Sequence, residues 1–98
     1  MNKERRKSIT QLTSEIDCIQ TQLSSEVQQI QQAVESILEE EQDAFDNMPE
    51  SLQYSDKGEA VQEAINNLEY ALNEFENWLG DISDKADEIY SYLEEAKA

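Results

Sequence analysis

The chain alternates apolar steps of three and four over almost its whole length, and only one proline interrupts it. In the second half the rhythm is faultless. Val61, Ile65, Leu68, Leu72, Phe75, Leu79, Ile82, Ala86, Ile89, Leu93 and Ala96 follow one another at helical heptad spacing. The rhythm passes through Gly80 without changing phase, so the spacing predicts one helix from about Asp56 to Lys97. In the first half Ile9, Leu12, Ile16, Ile19 and Leu23 are followed by Val27, Ile30, Val34 and Ile37, with one four-residue stutter around Leu23. Glu41, Ala44 with Phe45, and Met48 continue that stripe. Neither glycine nor proline interrupts Ser8 to Met48, which makes a helix about 60 Å long.

The break lies at Asp46 to Ser55. Pro49 lacks an amide donor and pushes Met48 out of the helical region, so the first helix, from about residue 3, ends near Asn47. Ser55 stands where a cap would start the next helix, accepting from the amide of Lys57 or Gly58. A turn over 48–55 folds the two stripes onto each other. Phe45 then opposes Val61, Ile37 opposes Leu68, Val27 opposes Leu79 and Ile9 opposes Ala96, eleven layers in constant register. The expected fold is all-α: an antiparallel, coiled-coil-like two-helix hairpin, completed by dimerisation into a four-helix bundle. Dimerisation is expected because Ala33, Leu38, Ala71, Trp78 and Tyr92, with Ala64 and Tyr90, widen the apolar face beyond a two-helix seam. Glu41 is the odd member of the core stripe, either a rim glutamate or a partner for Lys57.

Charge narrows the function classes. Twenty-three acidic residues stand against seven basic ones and no histidine, a formal charge of −16. Lys3, Arg5, Arg6 and Lys7 supply four of the seven; from Ser8 onward 22 acidic residues face three lysines. Such a surface repels phosphate, so direct nucleic-acid binding is not expected. It suits a cationic partner, or serves solubility alone. The basic start reads as a solvated, frayed helix end. No run approaches the length of a membrane span, and a cytoplasmic location is the expectation. One cysteine, Cys18, excludes an internal disulfide.

Without histidine there is no Cys/His metal pattern and no nucleophile–histidine pair. The acidic run Asp81 to Glu88 lacks the alternation and central glycine of a calcium loop. Glu39, Asp43 and Asp46 share neighbouring turns, as carboxylates on any acidic helix do. No enzyme activity, metal or cofactor is expected. The candidate contact region is the turn end, where Glu39, Glu40, Asp43, Asp46, Glu50, Asp56 and Glu59 gather beside Phe45, Leu52 and Tyr54. The competing explanation is that Leu52 and Tyr54 only close the core.

Residues 39–69, and Asp46-Asn-Met-Pro-Glu-Ser-Leu-Gln53 most distinctively, resemble a group of small acidic helical proteins encoded by phages and prophages of Gram-positive bacteria. The resemblance implies a phage setting and assigns no site residue. Two functions follow as expectations. One is an inhibitor of a cationic host or defence protein, its carboxylates spaced about 5–6 Å apart on successive turns like the phosphates of a nucleic acid. The other is a structural or adaptor coiled coil that acts through self-association.

Overall fold

The computed structural model describes all residues, 1–98, and the chain is all-α. Helix α1 spans Lys3–Asp46, α2 is a four-residue turn of helix at Glu50–Gln53, and α3 spans Asp56–Lys97. No strand is present.

Each helix end has a local cause. The backbone amide of Arg5 donates to Asn2 Oδ1 at 2.9 Å, capping α1. At the break, the amides of Leu52 and Gln53 both donate to the Pro49 carbonyl, at 2.8 and 3.1 Å, and so form α2. Gln53 Nε2 reaches back to the carbonyls of Phe45 and Met48 at 3.0 and 3.2 Å, tying the α1 terminus to the turn. Ser55 Oγ accepts from the Gly58 amide at 3.5 Å, and the Ser55 carbonyl accepts from Glu59 at 2.9 Å, which starts α3. Gly58 is buried because the turn backbone crosses over it: a Cβ there would run into the carbonyl oxygens of Leu52 and Gln53. Gly80 is the opposite case. It lies within α3 with open space around it.

The chain divides into two compact units. The first joins Met1–Val27 to Asn77–Ala98. In it Arg6 Nε donates to the Lys97 carbonyl at 2.9 Å, and Lys97 Nζ donates to Thr10 Oγ1 at 3.2 Å. The basic start is therefore not merely frayed, since Arg6 satisfies a carbonyl at the α3 C-terminus, where a cation also suits the helix dipole. The second unit is Gln28–Glu76, containing the turn. In it Gln31 Nε2 donates to Glu76 Oε1 at 2.6 Å.

The shielded column of α1 departs from its apolar stripe. Ile9, Thr13, Ile16, Gln20, Ser24 and Val27 are withdrawn from solvent in the first unit, and Gln31, Val34, Leu38, Glu41, Phe45 and Met48 in the second. Leu12, Ile19, Leu23, Ile30 and Ile37, which the stripe places in core layers, are all exposed. Two glutamines stand in that column, Gln20 half-buried and Gln31 buried. Helix α3 behaves otherwise: Val61, Ile65, Leu68, Leu72, Phe75, Leu79, Ile82, Ala86 and Leu93 are all withdrawn, and only Ile89 and Ala96 of its stripe are exposed. Buried apolar side chains are few: Val27, Ile65 and Ala86.

Candidate functional site

The acidic region lies within the second unit. The last turns of α1 carry Glu39, Glu40, Asp43 and Asp46, all exposed; Glu50 opens α2, and Asp56 and Glu59 sit on the first turn of α3, also exposed. None of them is held in an ion pair, and Lys57 is the one cation in their unit. The chain's two ion pairs, Lys85–Glu88 at 3.1 Å and Lys97–Glu94 at 3.0 Å, both lie in the first unit, and Lys57 forms none. Glu41 is half-buried and equally without an ion pair. Among the apolar candidates, Phe45 is half-buried, whereas Leu52 is 42% and Tyr54 80% exposed. Tyr54 therefore does not close the core. No group of three or more carboxylates or thiols comes together in a metal-holding arrangement.

The second candidate set, residues beside the apolar stripe, is mixed in exposure. Leu38 and Ala71 are half-buried, Leu38 in the shielded column itself. Ala33, Trp78 and Tyr92 are exposed, Trp78 by 47% and Tyr92 by 75%. What periodicity alone missed is that Leu12, Ile19, Leu23, Ile30 and Ile37 belong with them as exposed apolar surface. Periodicity carries no signal of this, because exposed and shielded rungs alternate alike on both sides of Leu23 and the outcome turns on the rotation of α1 about its axis.

Tyr90 is the one buried polar atom left without a hydrogen bond. Burial pushes its phenol above the ordinary value of 10.0, and the carboxylates of Asp17 and Asp87 add to the shift. Neither carboxylate meets it in hydrogen-bonding geometry. Cys18 is exposed and unpaired. No helix is long and apolar enough to cross a membrane.

No protein-family model, curated protein or solved structure matches this chain.

Proposed function

We propose that the protein is a non-enzymatic, acidic interaction protein: an antiparallel helical hairpin whose turn end binds and inhibits a cationic host or defence protein. In the phage setting that the resemblance of residues 39–69 implies, the target is a nucleic-acid-binding nuclease in the host cytoplasm, and the mode is nucleic-acid mimicry of the anti-restriction or anti-CRISPR type. The observation that carries this reading is the acidic charge of the second unit, held in no ion pair and offset only by Lys57, with Tyr54 and Leu52 standing exposed among its carboxylates. Like charges so close raise the free energy of the free protein, and a basic partner relieves that cost. The hairpin is supported by the contacts inside each unit: Gln31 with Glu76, and Thr10 with Lys97, have residue numbers that total 107, within two of the register expected from the stripes.

The test is capture from host lysate followed by a salt series. A basic nuclease that is retained at low salt, released as salt rises and displaced by duplex DNA is the expected result. Changing Glu40, Asp43 and Asp46 together to lysine is expected to abolish capture while helicity persists. Unchanged capture by that triple variant removes the turn end from the mechanism.

A second reading, a structural or adaptor coiled coil acting through self-association, is favoured by a different observation, the row of exposed aliphatic residues along α1. It predicts that the chain captures itself rather than a basic protein.

A further inference from the structure

Leu12, Ile19, Leu23, Ile30 and Ile37 are 50, 66, 37, 53 and 49% exposed. At 3.6 residues per turn the five fall within an arc of about 40° on one flank of α1, beside the column that the fold shields. With Ile16, Glu26 and Ala33 they form an unbroken heptad series over 12, 16, 19, 23, 26, 30, 33 and 37. The stutter belongs to the shielded column, where Ile16, Gln20 and Ser24 are spaced by two fours; this flank has none.

The series is symmetric about the midpoint between Ser24 and Ser25. Leu12 and Ile37 lie equally far from it on either side, as do Ile16 and Ala33, and Ile19 and Ile30. A surface related to itself in this way is what a two-fold, isologous interface requires. We propose that α1 packs against α1 of a second copy as an antiparallel two-fold pair centred between Ser24 and Ser25. Leu12 of each copy lies on Ile37 of the other, Ile16 on Ala33, and Ile19 on Ile30. The central rung sets Leu23 against Glu26, whose stem lies along the leucine while its carboxylate reaches water.

Charge selects this arrangement over the alternatives. A parallel pair would match the same aliphatic residues but align Glu35, Glu39, Glu40, Glu41, Asp43 and Asp46 with their own copies, and put Glu26 against Glu26. The antiparallel pair instead brings the basic end, Lys3, Arg5, Arg6 and Lys7, to the acidic end. Arg5, on the same flank, meets Ala44 with Glu40 and Glu41 one turn away. An antiparallel pair slipped by one heptad keeps three apolar rungs, Ile9 on Ala33, Leu12 on Ile30 and Ile19 on Leu23, but sets Ile37 against Arg5 and Ile16 against Glu26 and moves the basic start away from Glu40 and Glu41.

The inference rests on the self-association reading and is independent of any basic partner. Its test uses the full chain carrying Cys18→Ser, with Leu12→Cys and Ile37→Cys made separately. Mild oxidation of the mixture is expected to give a disulfide-linked pair, and a mixture of Ile19→Cys with Ile30→Cys likewise. Neither variant alone is expected to link, because position 12 lies about 37 Å from its own copy along the axis. Ile19→Asp, at an exposed position, is expected to raise the dissociation constant of the dimer at least tenfold while α-helical circular dichroism is retained. A 12-to-12 link, or a 12-to-30 link, in a chain that sediments as a dimer overturns this register and leaves self-association standing. A monomer at tens of micromolar overturns both.

Discussion

Helices α1 and α3 are nearly equal in length, 44 and 42 residues, and their apolar rhythms look almost alike. Their burial is not alike. Helix α3 withdraws nearly its whole stripe, from Val61 to Leu93, and α1 withdraws only part of its own. In α1 the shielded column runs through Thr13, Gln20, Ser24 and Gln31, leaving five aliphatic residues outside. The difference teaches that heptad spacing fixes which residues share a face but not which neighbour that face meets. The rotation of each helix about its axis decides which rungs are withdrawn, and in α1 it leaves alternate rungs of the stripe outside.

Truncating the two stripes separately is the strongest way to break this comparison. Ile65 is 2% exposed, and Ile65→Ala is expected to cost about 2–4 kcal/mol in urea unfolding, the transfer loss plus a cavity. At low protein concentration Ile19→Ala, at an exposed site, is expected to cost about 0.5 kcal/mol or less. Equal costs in dilute solution would mean that α1 is shielded like α3. A cost at Ile19 that grows with concentration instead reports the second copy.

The glycines sharpen it next. Gly58→Ala forces a methyl group against the carbonyls of Leu52 and Gln53 and is expected to destabilise by about 1–3 kcal/mol. Gly80→Ala adds the same methyl group in open space within a helix, and is expected to stabilise by about 1 kcal/mol. Thermal melts of both variants check the pair. A stabilising Gly58→Ala would contradict the close crossing of the turn over α3.

The smallest effect belongs to Tyr90. Its phenol is raised in the folded chain, so the folded state favours the neutral form. That contribution is intact below pH 10 and declines as pH climbs above the unfolded phenol's value, because the unfolded chain then loses a proton the folded chain keeps. Tyr90→Phe removes both the titration and an unpaired buried hydroxyl. It is expected to leave stability near pH 7 unchanged or slightly raised, with its advantage widening above pH 10. Chemical denaturation of both proteins at pH 7 and pH 10.5 reads this, and a constant difference between them would remove Tyr90 from the pH response.

By itself the sequence determined the helical class, the place of the break at Pro49, the cap at Ser55 and the passage of α3 through Gly80. Those properties are local: they depend on spacing along one chain, on a missing amide and on a hydroxyl three residues from the amide it accepts. The run of acid on either side of the turn was equally legible, since Glu39 to Glu59 are close in the chain, and the structure leaves each of those carboxylates exposed except Glu41. Only the tertiary structure decided that Gln31 lies inside against Glu76 while Ile19 and Ile30 lie outside, that Arg6 holds the end of α3, and that Gly58 has no room for a side chain. Each of these turns on the rotation of a helix about its own axis or on the close approach of distant backbone. A rotation of tens of degrees leaves the periodicity unchanged, because the same heptad serves whichever face is turned toward a neighbour.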